Sequence, residues 1–294
     1  MRLSFKWNIH LPAILLMGIM CGACEKEIPF EGDIAVNKLV VNGLMQSDTV
    51  FSVHVSESLS VIDNGQLMDV TNATVTILDD AGNTITTLQH AANGFYYGAP
   101  AVFPAIQQNY TIHAYSPGFT EVSSVSSVPI ASPIAKIDTG RTDYMDYDDV
   151  LEFIISIDDS GDSDNFYAIR LTGRSFYFDG TDTIWYESNL YYLTMDPVFD
   201  NNNRQSDFET FRDYSFNGQS VMINLGLPDY SNGSYTEFRV YLYSLSESYY
   251  GFLSSRQLYT MANGDFFSQP VQVYSNINEG LGIWGGFSLV HKDL

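Results

Sequence analysis

The sequence predicts a mainly β fold, and three observations carry that prediction. Apolar residues recur with period two in short runs, turn-forming residues separate the runs, and one segment alone has strong helical spacing. The 294 residues also include 20 Tyr and 19 Phe, side chains that suit half-buried pleated strands.

Between Lys38 and Pro129 the pattern is that of an all-β sandwich. Phe51, Val53 and Val55 alternate with Ser52 and His54, and Val75 and Ile77 alternate with Thr74 and Thr76. Asp79-Asp80-Ala81-Gly82-Asn83 is a turn, because Gly and Asn tolerate positive φ, and Thr84 to Leu88 is expected to pair back as a hairpin. Tyr110, Ile112 and Ala114 alternate again before the turn Ser116-Pro117-Gly118-Phe119. Pro129-Ile-Ala-Ser-Pro133 is a proline-bounded break, and most tyrosines and two of the three tryptophans lie beyond it. A domain boundary is therefore expected near residue 135, dividing 36–134 from 135–294 and giving two sandwich-like domains.

The second segment opens with Leu151, Phe153, Ile155 and Ile157 in clean alternation. A loop over Asp158 to Asn165 leads into a long strand, Phe166 to Phe178. Ile184 to Met195, Ser220 to Leu225 and Thr236 to Leu245 read as further strands, the last with Phe238, Val240 and Leu242 opposite Arg239, Tyr241 and Tyr243. One helix is expected near residues 246–262. Ser244-Leu-Ser-Glu247 has the spacing of a capping box, and Tyr249, Phe252, Leu253, Arg256 and Tyr259 follow at helical intervals up to a stop at Asn263-Gly264. Pro270 to Tyr274 and Gly282 to Val290 close the chain as strand-like segments. No lysine or helix start follows Gly280, Gly282, Gly285 and Gly286, so these glycines indicate bulges or close backbone packing rather than a phosphate loop.

The N-terminus says where the protein resides. Arg2 and Lys6 precede an apolar run, Leu11 to Met20, of about ten residues, too short to span a bilayer. Gly22 and Ala23 then stand before Cys24, which resembles the lipobox of bacterial lipoproteins. Cys21 fits worse, because bulky Ile19 and Met20 precede it. The resemblance implies that residues 1–23 are a signal peptide and that Cys24 carries a covalent lipid as the first mature residue. Residues 24–35 read as an acidic tether. Within it, Glu25, Lys26 and Glu27 look like the export signal that sends Bacteroidota lipoproteins to the outer face of the outer membrane.

A mature chain starting at Cys24 has no second cysteine, hence no disulfide and no thiolate metal site. The net charge of -22 argues against nucleic acid, whose phosphates need basic side chains, and against electrostatic docking on an anionic membrane.

Ala73-Thr-Val-Thr-Ile-Leu, Gly94-Phe-Tyr-Tyr and Asn109-Tyr-Thr-Ile-His-Ala-Tyr-Ser-Pro-Gly-Phe resemble the carboxypeptidase-regulatory-like module, which implies an immunoglobulin-like sandwich over 36–134 without catalysis. Cys24-Glu-Lys-Glu-Ile, Lys38-Leu-Val-Val-Asn-Gly-Leu, Leu245-Ser-Glu-Ser-Tyr-Tyr and the run Gln269 to Gly286 together resemble the Bacteroidota surface-lipoprotein family catalogued as domain of unknown function 4249. Its members look like surface lipoproteins often encoded beside TonB-dependent outer-membrane receptors, which implies an accessory role in uptake. The resemblance supplies no catalytic residues.

The chemistry-bearing residues are sparse. His54, His90, His113 and His291 are scattered, and neither a Gly-x-Ser-x-Gly elbow nor a His-Glu-x-x-His helix occurs, so no enzyme is expected. Asp158, Ser160, Asp162 and Asp164 alternate as calcium ligands do, although the distal bidentate Glu is missing and Asp, Ser and Gly are also ordinary turn residues, which is the stronger reading. Tyr144, Tyr147, Tyr186, Tyr191 and Tyr192 are the expected exposed tyrosines of a ligand-binding surface. Asp48-Thr49-Val50 and Asp182-Thr183-Ile184 resemble the short O-glycosylation acceptor of exported Bacteroidota proteins. The expected function is a non-catalytic lipoprotein that binds a ligand for, or docks onto, a TonB-dependent transporter. A structural or adhesive surface protein and a hydrolase of surface polymers are the alternatives, the latter needing two converging carboxylates.

Overall fold

Alternation along the chain becomes burial in the structure. In β1 (Leu39–Met45) and β2 (Ser52–Glu57), Leu39, Val41, Val53 and Val55 point into a core while Val40, Asn42, Ser52 and His54 stay partly or wholly exposed. A computed structural model describes residues 37–59, 67–161, 163–199, 205–228, 235–262, 269 and 271–294. Cys24, Glu25, Lys26, Glu27 and Asp162 lie outside the described residues, as does the expected helix stop at Asn263-Gly264.

The first part continues with β3 (Thr74–Leu78), β4 (Thr84–Ala92), β5 (Phe95–Tyr97), β6 (Asn109–Tyr115) and β7 (Val122–Ser127). The expected turn at Asp79 to Asn83 forms. Asp79 Oδ1 accepts the Ala81 and Asn83 amides at 2.9 and 2.8 Å, and Asn83 chiefly holds this carboxyl below its usual pKa. β8 (Ile134–Tyr144), β9 (Tyr147–Asp158), β10 (Phe166–Phe178), β11 (Thr183–Asn189), β12 (Tyr192–Thr194), β13 (Gln205–Ser206), β14 (Glu209–Arg212), β15 (Ser220–Leu227) and β16 (Glu237–Leu245) follow, then α1 (Glu247–Ala262) and β17 (Leu281–Asp293). The fold is mainly β with one helix among the described residues. Two strand expectations are corrected. Ile184 to Met195 breaks into β11 and β12, because Leu190 turns into the core, and Val271 to Tyr274 joins no ladder.

Two sheets contain these strands. Twelve belong to one, in the order β11-β10-β16-β17-β1-β2-β5-β4-β3-β6-β7 with β14 on β10, and five to the other, in the order β13-β12-β15-β9-β8. β4 pairs with β3 through its first half and with β5 through its second, and there the large sheet folds over on itself. The fold brings β17 against β7, and the Trp284 side chain reaches β6, where its Nε1 donates to the Tyr110 carbonyl at 2.9 Å; the Phe51 ring centroid lies 5.0 Å from that of Tyr110. The second core lies between the small sheet and β10–β16. Phe153, Ile155 and Ile157 of β9 and Ile223 and Leu225 of β15 meet Tyr167, Ile169 and Leu171 of β10 and Val240 and Leu242 of β16.

The two cores fall on either side of residues 129–134, and β17 belongs to both parts. It runs parallel to β1, with Asn42 opposite Ile283, and antiparallel to β16, with Leu242 opposite Val290. The core closed by residues 39–128 contains Ile277 and Trp284 from the far end of the chain. Residues Asn37–Leu294 accordingly hold together as one compact unit.

α1 caps differently from the expectation. Ser244 is still in β16, where its hydroxyl accepts the Ser132 amide at 3.0 Å, so it cannot start the helix. Ser246 takes that role. Its Oγ accepts the Tyr249 amide at 3.3 Å and its carbonyl the Tyr250 amide at 3.0 Å. The helix lies on the outer face of β10, β16 and β17, where Leu253 packs with Ala168 and Leu245.

Candidate functional site

The end of β10 leaves both of its faces uncovered. Residues 167, 169 and 171 point into the second core, and 168, 170 and 172 point outward, but beyond Ser175 all of Phe176, Tyr177 and Phe178 are exposed. β11 pairs back across this end with Phe176 opposite Trp185, Tyr177 opposite Ile184 and Ser175 opposite Tyr186. Because β11 is an edge strand, both faces of the hairpin end in aromatics. On the outer face the Phe176 and Trp185 centroids are 5.0 Å apart and the Arg174 guanidinium lies 5.0 Å from the Trp185 centroid. On the other face Tyr177 and Tyr186 are 6.3 Å apart. Phe178 is 65% and Trp185 44% exposed, so this apolar surface is offered to solvent.

Charge and turn chemistry brace the hairpin at its tip and base. Asp179 Oδ1 accepts the Thr181 and Asp182 amides at 2.8 Å each, its pKa is lowered by them, with Asp182 the stronger cause, and Gly180 takes φ +102°. At the base Arg174 pairs with Glu237 at 2.8 Å. Glu187 accepts Thr172 Oγ1 at 2.6 Å and the Tyr241 hydroxyl at 2.9 Å, with Arg239 at 3.6 Å. The Thr172 hydrogen bond is the main cause that lowers the Glu187 pKa. Asp182-Thr183-Ile184 enters β11 at the tip.

The expected tyrosine surface is divided by the structure. Tyr144 and Tyr147 face each other across the β8–β9 turn, half-buried, in the small sheet. Tyr186 stands on the aromatic hairpin and Tyr191 is exposed beyond it. Tyr192 is corrected outright. It is fully buried, its hydroxyl donating to the Ile169 carbonyl at 2.7 Å and accepting the Glu209 amide at 3.1 Å, and burial pushes its pKa well above the ordinary value. Single-strand periodicity could not show this, because β14 covers the residue from elsewhere in the chain. Phe176, Phe178 and Trp185 were not singled out by sequence. Their signal was available, since three consecutive aromatics cannot all face one core.

The acidic loop is built as a staple. Asp158 Oδ1 accepts Ser220 Oγ at 2.6 Å, and Asp159 accepts the Tyr167 hydroxyl and, at 2.7 Å, the Gly218 amide. Asp213 accepts the Asn165 amide at 2.9 Å, and its pKa is raised chiefly by burial. Asp158 and Asp164 share a groove of about 650 Å³, but among the described residues no group of three or more His, Cys, Asp or Glu side chains has the arrangement of a metal site. His54 and His113 pair with Asp69 and Glu121, each at 3.0 Å.

A family model described as "Domain of unknown function (DUF4249)" matches residues 25–293. No curated protein matches the sequence.

Proposed function

This chain belongs to the DUF4249 family, and for this member we propose a non-catalytic docking role: a lipid on Cys24 holds it at the outer face of the outer membrane, where it acts as an accessory of a TonB-dependent transporter. The observation that carries the reading is the β10–β11 hairpin, an edge with exposed aromatic side chains on both faces. A soluble protein without a partner for this surface would expose a cross-strand aromatic pair at the risk of edge-to-edge association. Aromatic side chains on a hydrogen-bonded hairpin supply contact area at small conformational cost, as interface anchors do. The lipobox-like Gly22-Ala23-Cys24 and the Glu25-Lys26-Glu27 tether support placement in the same membrane as a β-barrel receptor.

The test uses the full chain in its own membranes. A photo-crosslinking residue replacing Trp185 is expected to capture an outer-membrane β-barrel protein, and one replacing Lys136 on β8 is not. Capture of peptidoglycan or of nothing at all, with the chain correctly exported, contradicts the docking role. Cys24→Ser is expected to move the protein out of the membrane fraction; retention there would remove the anchor from the account.

A further inference from the structure

A groove of about 570 Å³ lies between the outer face of β1–β2 and α1, and two arginines line it. Arg170 comes from the outer face of β10 and Arg256 from the exposed side of α1. Among the described residues neither forms a salt bridge, whereas Arg141, Arg174 and Arg239 each hold a carboxylate at the surface. In a chain with 35 acidic and 13 basic residues, carboxylates are abundant partners. The Arg170 guanidinium instead rests on the faces of Phe208 and Tyr243, 5.1 and 5.6 Å from the two centroids, and its buried Nε–H has no acceptor. Aromatic faces orient a guanidinium plane but cannot take its in-plane N–H groups, so its hydrogen-bonding fork is held in position with donors to spare. Arg256 is similarly set over Phe252, at 6.0 Å. Both positive charges reach the same hydroxyl: burial raises the pKa of Tyr249 on the groove wall, while Arg256 and Arg170 each lower it.

We propose that this groove binds an organic monocarboxylate with an aromatic or other apolar body. The carboxylate would take the free N–H donors of Arg170 and the charge of Arg256, and the body would lie against Phe95 and Phe252. The charge balance selects a monoanion. Asp207 and His54 also line the groove, and His54 is paired with Asp69 at 3.0 Å, so beyond that pair two guanidiniums and one carboxylate leave a single net positive charge, which a phosphate dianion would exceed. The volume is that of a small-ligand site, and its walls set the apolar Leu44, Phe95, Phe208 and Phe252 beside the polar Asn42, Ser52 and His54. The site is separate from the aromatic hairpin. Arg170 and Phe176 are six residues apart on one strand, about 20 Å along it, so the groove stands or falls independently of the docking role.

The experiment titrates the full-length protein in lipid nanodiscs with 3-phenylpropionate, 3-phenylpropanol and phenyl phosphate, read by calorimetry and ligand-observed NMR. Saturable binding of the carboxylate is expected, with the alcohol weaker by about tenfold or more, as loss of a charge-assisted hydrogen-bond pair requires. R170Q and R256Q are each expected to weaken the carboxylate by a similar factor while leaving the alcohol unchanged. R256Q alters an exposed helix position and keeps the test decisive should R170Q fail to fold. Equal binding of acid and alcohol, tighter binding of phenyl phosphate, no saturable binding, or indifference to both substitutions would each overturn the assignment.

Discussion

Trp284 shows how much of this fold rests on single residues. It is fully buried, donates through Nε1 to the Tyr110 carbonyl at 2.9 Å, and has its backbone N–H and C=O held by the Asn276 amide at 2.9 and 2.7 Å. A Cβ on Gly286 would meet the Ser127 carbonyl oxygen at 2.2 Å, and Gly282 takes φ +111° with Val41 equally close. The run from Asn276 to Gly286 therefore reads as a docking sequence for strand β17, which is why these glycines serve packing rather than phosphate. Trp284→Ala is expected to cost about 3–5 kcal/mol, measured by urea denaturation, and Gly286→Ala to destabilise through backbone displacement. Glu187 adds a pH dependence. Its folded pKa lies below the unfolded value near 4.5, so its contribution is present above that pH and is lost as pH falls through the folded pKa. Glu187→Gln should accordingly flatten the fall of Tm on acidification below pH 4.5, and an unchanged slope would remove Glu187 from the account.

At the scale of elements, alternation is readable and partners are not. Phe153, Ile155 and Ile157 announced the buried face of β9, because a strand with one covered face must alternate. Tyr192 defeated the same logic, since β12 is three residues long and its burial comes from β10 and β14. The capping residue of α1 is Ser246 rather than Ser244 for a tertiary reason, the capture of the Ser244 hydroxyl by Ser132. Ser246→Ala is expected to cost about 1 kcal/mol through loss of the cap, and Ser244→Ala should leave the helix boundary unmoved in amide exchange. Phe176→Ser with Trp185→Ser removes an exposed cross-strand pair and should cost no more than about 1 kcal/mol. Retained stability with lost partner capture is the pattern the docking role requires.

For the whole molecule, the decisive feature is that the last strand completes the first core. Local patterning placed a break at Pro129 to Pro133, yet the first core draws Ile277 and Trp284 from beyond it. It could not show the parallel pairing of β17 with β1, because residues more than 200 positions apart leave no local signal. The two halves are expected to unfold in one thermal transition, seen by calorimetry. Truncation after Gly280 removes β17 and should leave neither half folded; a stable fragment retaining either core would contradict that coupling. The aromatic hairpin lies on β10 and β11, in the half whose β16 is braced by β17, so its geometry depends on the same closure.

The central functional claim is that this hairpin meets a barrel in the outer membrane. Crosslinking from position 185 in intact cells tests it most directly. The account predicts a single predominant adduct to a TonB-dependent receptor, abolished by Phe176→Ser. Surface-exposed, folded protein that yields no barrel adduct from positions 178, 185 and 186 would contradict it.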